Sequence, residues 1–386
     1  MYNRGTKYLN SGKYSKALSF YKKEPLDFKE KYLNMGTCYR GLEDNTLAFK
    51  YYTLANSASV PYADGSYAAA YPLALNNLGM LKYGAGDVLG ASVLYKEALG
   101  IDPLYYETLW NLSHCMLRSG FNGLDVDWTT AWKLYEYRFK RANPVGLNNS
   151  LPMWDLVSCG DCIVVLAEQG LGDKIMFGRY VHLLRQSFKR VVVQCHPSLD
   201  CLFSDFEICR STEGFSLDTV AIPICSLPLK YFSSHPSERW LDGKFNGVKL
   251  DGKNIGVVWA GSTTHSNNHN RSCPSSYFAG LADLGTLHSL NPAAPAVRGI
   301  MPCVSSSWAE TAAKCLSLDY VVTVDTSIVH LCGTLGVKCI MIQPIYEIDF
   351  RWGDGSITYW YDSVEIVNER SWSSAFARVR EICTKL

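Results

Sequence analysis

The stretch YVVTVDTSIVHLCGTLGVKCIMI, residues 320–342, decides the fold. It opens on the apolar run Tyr320-Val321-Val322-Thr323-Val324 and breaks at Asp325-Thr326-Ser327. It continues through Ile328-Val329-His330-Leu331-Cys332-Gly333-Thr334-Leu335-Gly336 and returns to Cys339-Ile340-Met341-Ile342. Short, continuous apolar runs bounded by turn residues read as buried strands. The stretch is therefore strand, polar turn, short helix, strand. The turn sets Asp325, Thr326 and Ser327 at a helix N-terminus, where unpaired N–H groups and the helix dipole favour an anion. His330 follows Ser327 by one helical turn and lies on the same side. A turn of this shape suits a nucleotide diphosphate and the sugar it carries.

Working outward, the run Trp308-Ala309-Glu310-Thr311-Ala312-Ala313-Lys314-Cys315-Leu316 reads as a helix packed against the strand at 320–324, and Asp349-Phe350-Arg351-Trp352 forms a charged and aromatic cluster on the cleft side. From Val157 onward, further strand-like runs at 162–166, 191–193, 220–222 and 255–259 alternate with helical stretches. Continuous apolar strands alternating with helices indicate parallel sheets covered on both faces. Segment 240–253, rich in Gly, Asp and Lys, reads as a linker between two such units, and segment 291–307 as a loop beside the cleft.

The first third has another period. Gly36, Tyr39, Ala48, Tyr52 and Ala55 share a frame with Gly79, Ala91, Tyr95, Ala98 and Pro103, and Gly5, Tyr8, Ala17 and Tyr21 give an earlier copy. These positions match the tetratricopeptide repeat (TPR), in which small and aromatic residues let two antiparallel helices interlock. A fourth, irregular unit runs from about 107 to 120. The step from Gly5 to Gly36 is 31 residues and that from Gly36 to Gly79 is 43, so residues 56–66 form a longer loop or a helix extension.

At 386 residues the chain has room for two or three domains. Charged residues make up 19%, below the usual quarter or so, and the net charge is +1, which argues against a nucleic-acid partner or an anionic membrane surface. The 14 cysteines are scattered, several of them in apolar runs, as in a reducing compartment. No apolar stretch reaches the length of a membrane span and no apolar signal core follows Met1, so a soluble, cytoplasmic protein is expected.

Two loops carry chemistry besides the 325–330 turn. The first is Ala167-Glu168-Gln169-Gly170-Leu171-Gly172-Asp173-Lys174, directly after a strand. It lacks the third glycine of a dinucleotide fingerprint, since position 175 is Ile. Its glycines permit a tight turn and close approach of a neutral substrate. Asp173 at the helix start is either a helix cap or a carboxylate placed to accept a proton. The second is VVWAGSTTHSNNHNRS, residues 257–272, a strand that ends in a Gly-containing loop dense in hydrogen-bonding groups. Arg271 there suits bidentate pairing with a phosphate. His265 and His269 have the spacing of a metal pair on a helix, but no third ligand is evident. Cys159-x-x-Cys162 has no partner pair and reads as packing. Asp125-Val126-Asp127 precedes a helical run, and Asp127 reads as its cap.

Together, EQGLGD, VVWAGSTTHSNNHNRS, ETAAKCLSLDYVVTVDTSIVHLCGTLG and DFRW resemble the tetratricopeptide-repeat glycosyltransferases, whose catalytic part is similar to the heptosyltransferases and has the two-Rossmann GT-B fold. The resemblance extends to the junction residues Trp132-Lys133-Leu134-Tyr135-Glu136-Tyr137-Arg138-Phe139 and Pro152-Met153-Trp154. It implies an α/β chain with an all-α amino-terminal repeat domain: a repeat domain at 1–140, an acceptor-side lobe at 141–250 and a donor-side lobe at 251–386. It implies a nucleotide-sugar donor held by Gly261, Arg271, Asp325, Thr326, Ser327 and His330, with Gln169, Gly170 and Gly172 on the acceptor side and Asp173 as general base. Such enzymes invert the anomeric centre without an essential metal or other cofactor. The acceptor implied is a protein or a glycan ahead of a nucleic acid, selected by the repeats, which also suit assembly into a homo-oligomer. The loop departs from the family's pattern at Asn268-His269, and a Ser-rich stretch precedes Glu310 where acidic residues are usual. These departures motivate the alternative of an interaction scaffold whose transferase half is inactive.

Overall fold

The computed structural model of the chain describes residues 1–234, 237–262, 267–291, 296–302, 305–343 and 346–385. It divides into two compact units, Met1–Asn143 and Pro144–Leu386.

The first unit is helical: α1 (Tyr2–Asn10), α2 (Tyr14–Tyr21), α3 (Lys29–Gly41), α4 (Asn45–Asn56), α5 (Pro72–Gly84), α6 (Val88–Ile101), α7 (Tyr106–Phe121) and α8 (Trp128–Tyr135). The repeat frame explains the pairing. A Cβ added to Gly5 would lie 2.7 Å from the Tyr21 ring, to Gly36 2.5 Å from Tyr52, and to Gly79 2.4 Å from Tyr95. Each glycine on the first helix of a pair is thus the hole for a tyrosine on the second, and those tyrosines are buried. Asp44, Asp87 and Asp127 cap α4, α6 and α8, accepting from the N–H of Leu47, Gly90 and Thr130 at 2.9, 2.8 and 3.0 Å. Asp127 is therefore a cap. The surplus residues between α4 and α5 form a loop rather than extra helix. Its start is fixed by the buried Lys29, whose Nζ donates to the carbonyls of Ala55 at 3.2 Å and Ser57 at 2.5 Å.

The second unit holds two parallel sheets. Strands β1 (Gly160–Leu166), β2 (Phe188–Gln194), β3 (Glu207–Cys209) and β4 (Val220–Pro223) precede β5 (Asn254–Val258), β6 (Thr286–Ser289), β7 (Ile300–Met301), β8 (Tyr320–Val324), β9 (Cys339–Gln343) and β10 (Val364–Asn368). The sheet orders among the described residues are β3-β2-β1-β4 and β10-β9-β8-β5-β6-β7. The second is the doubly wound order, in which the chain reverses direction beside its first strand; here the reversal falls between β5 and β8, and ligands bind at the carboxyl ends of such strands. The helices are α9 (Leu171–Phe177), α10 (Leu227–Tyr231), α11 (Asn268–Arg271), α12 (Ser275–Ala279), α13 (Trp308–Ser317), α14 (Ser327–Leu335) and α15 (Trp372–Cys383). Ile255, Val257, Val322, Val324, Ile340 and Ile342 of the second sheet pack with Phe278 of α12 and Ala375, Phe376, Val379 and Ile382 of α15.

Two readings of the sequence change in detail. Segment 291–307 contains the short edge strand β7. Segment 240–253 has no helix or strand but is anchored: Trp240 Nε1 donates to the Ile175 carbonyl at 3.0 Å, Leu241 is fully buried, and a Cβ on Gly247 would lie 2.5 Å from the Leu316 backbone. No helix among the described residues is long and apolar enough to cross a membrane.

Candidate functional site

Strand β8 ends at Val324 and the chain turns into α14 within two residues, Asp325 and Thr326. Thr326 is the helix cap: its Oγ1 accepts from the Ile328 N–H at 3.3 Å and lies 3.2 Å from Thr323 Oγ1. Gly336 closes the helix with φ +71°, the left-handed conformation glycine adopts without steric cost. Asp325 and Ser327 are partly exposed at the start of α14. Burial raises the Asp325 carboxyl above its ordinary value, and the charge of Asp349 adds to this. Arg271, Trp352 and Arg351 act the other way. Asp325 is thus near both aspartate and arginine charges.

His330 is buried one turn further along. Its ring stacks on Trp352 with centroids 5.0 Å apart and planes inclined 21°, and its Nδ1 lies 3.0 Å from the Tyr361 hydroxyl. Burial, and then the charge of Arg351, lower its value to about 3, so the imidazole is neutral. Burial pushes Tyr361 up to about 12, which keeps its hydroxyl protonated. The Arg179 guanidinium lies 4.8 Å from the Tyr361 ring and faces the phenol with a cation. The hydroxyl proton is accordingly assigned to the Nδ1 contact, which puts the His330 N–H on Nε2.

The opposing turn follows β1. Gln169 adopts φ +55°, an uncommon conformation for a residue with a side chain, and Gly170 caps α9. Asp173 Oδ2 accepts from the Gly170 N–H at 2.9 Å. Its Oδ1 accepts from Arg351 Nη2. Arg351 Nη1 also holds both oxygens of Asp349, at 2.9 and 2.7 Å. Both Asp173 oxygens are therefore engaged, one as a helix cap and one in an ion pair that joins the first sheet's turn to the second sheet's return loop. Each oxygen keeps a second lone pair, so a proton can still be accepted, though the Arg351 cation opposes it.

The space over Gly172 differs from the sequence reading. A Cβ there would lie 2.8 Å from His330 Cδ2 and 3.5 Å from the Ser327 Cα. The missing side chain makes room for His330 and the start of α14, rather than for a substrate. Gly170 is less crowded, with only Asp173 Oδ2 near, at 3.1 Å. The N-termini of α9 and α14 meet at this point.

Arg271 ends α11, beyond β5. A Cβ on Gly261 would lie 2.6 Å from Arg271 Nη2, so the glycine admits the guanidinium, and Arg271 Nε is buried with no hydrogen-bond partner among the described residues. Arg271 contributes to the field at Asp325, so the structure brings Gly261, Arg271 and the 325–330 turn together. His265 lies outside the described residues, so its pairing with His269 is not described. Cys162 is buried in β1 and Cys159 is exposed before it.

Four residues here had no assigned role from sequence: Arg351, Trp352, Tyr361 and Arg179. The DFRW cluster marked the first two as a group. Tyr361 lies in the run Tyr359-Trp360-Tyr361, whose aromatic density was the available signal. Arg179 is buried against that run, donating to the Trp360 carbonyl at 3.0 Å.

No protein-family model matches the chain, and no curated protein matches it. Among solved structures it is similar to a mutant of the Thermobaculum terrenum O-GlcNAc transferase, with 12% identity over 99% of this chain and 90% of that one and a TM-score of 0.34. It is also similar to the C-terminal part of a TPR repeat-containing protein from Cytophaga hutchinsonii, with 15% identity over 36% of this chain and half of that one and a TM-score of 0.28. With scores this low, the fold rests on the helix pairs and strand orders described above.

Proposed function

We propose that the second unit is a glycosyltransferase that takes a sugar from a nucleotide-diphosphate donor and passes it to an acceptor hydroxyl. One observation carries the reading: the N-terminus of α14, capped by Thr326, meets the neutral His330 and the turn bearing Asp173, within the field of Arg271, at the carboxyl ends of two Rossmann-like sheets. The α14 amide groups and Arg271 suit a diphosphate, and His330 Nε2 suits a phosphate or sugar oxygen. Asp173 is the general base. As the acceptor oxygen bonds to the anomeric carbon, its proton passes to Asp173. The bond from that carbon to the phosphate oxygen breaks with its electron pair on the diphosphate. Attack from the side opposite the leaving group inverts the centre, and the residues named do this without a metal. The repeats of the first unit select the acceptor, a protein or glycan, or mediate assembly.

A second reading, an interaction scaffold with an inactive transferase half, is favoured by the engagement of both Asp173 oxygens. Hydrolysis of a panel of nucleotide sugars separates the two. Slow donor hydrolysis reduced at least about 100-fold by Asp173→Ala supports the enzyme. Nucleotide binding without turnover of any donor supports the scaffold.

A further inference from the structure

Arg351 stands between two aspartates that do different work. Its Nη1 donates to both oxygens of Asp349, while its Nη2 donates to Asp173 Oδ1. The guanidinium is almost fully buried, its side chain 8% exposed, and that of Asp173 is 17% exposed. The next residue, Trp352, stacks on His330, and Trp360 Nε1 donates to the Arg351 carbonyl at 2.9 Å. Arg351 is thus built into the wall that carries the first turn of α14. One of its nitrogens donates to a carboxylate on the same return loop, and the other makes a contact with the opposing turn.

We propose that Arg351 is a positioning residue that hands its Nη2 contact from Asp173 to the donor's diphosphate, so that occupancy of the donor site frees the base. This rests on the transferase reading above. In the structure the arginine holds Asp173 Oδ1. When a diphosphate lies at the α14 N-terminus, Nη2 turns to a phosphate oxygen while Nη1 keeps Asp349, and the acceptor hydroxyl takes its place on Oδ1. The charges then move together. Asp173 gains the acceptor's proton and loses its negative charge as the carbon–phosphate-oxygen bond breaks and negative charge grows on the leaving diphosphate. The same cation serves first one anion and then the other, with no additional group required.

The consequence is competition between Asp173 and a nucleoside diphosphate for one arginine. Asp173→Asn, which keeps the shape and removes the charge, should tighten binding of the preferred diphosphate (uridine, guanosine, adenosine or cytidine) at least about fivefold by calorimetry on the full chain. Arg351→Gln should weaken wild-type binding and abolish the gain from Asp173→Asn in the double variant. Arg351→Lys keeps one charged contact and should restore part of both effects, and it serves where the glutamine variant does not fold. A gain that persists undiminished in the double variant would be relief of charge repulsion without the arginine. That result, or unchanged or weaker binding in Asp173→Asn with the wild type still binding, overturns the hand-over and leaves the donor site standing. If neither wild type nor Asp173→Asn binds any of the four, the transferase reading fails and the hand-over fails with it.

Discussion

His330 is both a packing residue and a candidate ligand contact, and the two roles are joined by its neighbours. Trp352 and Tyr361 hold the ring, and Gly172 leaves room for it. Burial lowers its value from 6.5 to about 3, so the unfolded chain takes up a proton in that range that the folded chain refuses. Its contribution to stability is therefore complete above pH 6.5 and lost as pH falls toward 3, amounting to about 2 kcal/mol by pH 5. Asp325 acts with the opposite sign. Its raised value adds stability at low pH that is lost as pH rises through the folded value. The wild-type curve thus contains two offsetting parts, and the difference from His330→Gln isolates one. Urea denaturation at pH 7 and pH 5 should show the wild type losing about 2 kcal/mol more than the variant. Equal losses would mean the imidazole is not shielded as described. Residue by residue, the sequence marked Asp173, Arg271 and the 325–330 turn because each sits in a local pattern of strand, turn and helix start. Arg351 was less legible, since its partner Asp173 lies 178 residues away and the pair forms only when the return loop folds back.

Elements were readable where one period dominates. The runs that became β1, β5, β8 and β9 are wholly or mainly buried, so they are continuously apolar. β3, β7 and β10 are edge strands, and β3 and β7 are also very short. Glu207 and Met301 are exposed and Glu365 half-buried, so these runs are too short or not apolar throughout and did not read as strand. The repeat helices were legible for a more specific reason: the Gly–Tyr frame is a packing rule written into sequence. It gives a direct test. Gly79→Ala places a methyl 2.4 Å from the Tyr95 ring, and that ring is 2% exposed with little room to move. Overpacking of this kind costs about 1–3 kcal/mol, against a gain of up to about 1 kcal/mol in helix propensity. The substitution should lower the urea midpoint of the repeat unit's transition, and Gly100→Ala, with nothing within 4 Å, should raise it or leave it unchanged. A rise in both would mean that the tyrosine does not occupy the glycine's face.

At the scale of the whole molecule, the chain contains two compact units, one of interlocked helix pairs and one of two parallel sheets. Within the second unit the sheets contribute unlike chemistry to one place. The first gives a turn with a carboxylate, Asp173, and the second gives a capped helix start with Arg271, His330 and the arginine that holds that carboxylate. The order of elements along the chain was enough to anticipate this division and the facing of the acceptor-side and donor-side turns, whereas the contact that joins them, His330 filling the space over Gly172, was not legible. The proposed transferase function requires this convergence to bind a nucleoside diphosphate. The decisive experiment is isothermal titration of the full chain with uridine, guanosine, adenosine and cytidine diphosphates, beside the Arg271→Ala variant. Saturable one-to-one binding of at least one of the four is expected, weakened about tenfold or more in Arg271→Ala, as for loss of a charge-assisted contact. Absence of binding by all four, or binding that Arg271→Ala leaves untouched, would overturn the proposed donor site.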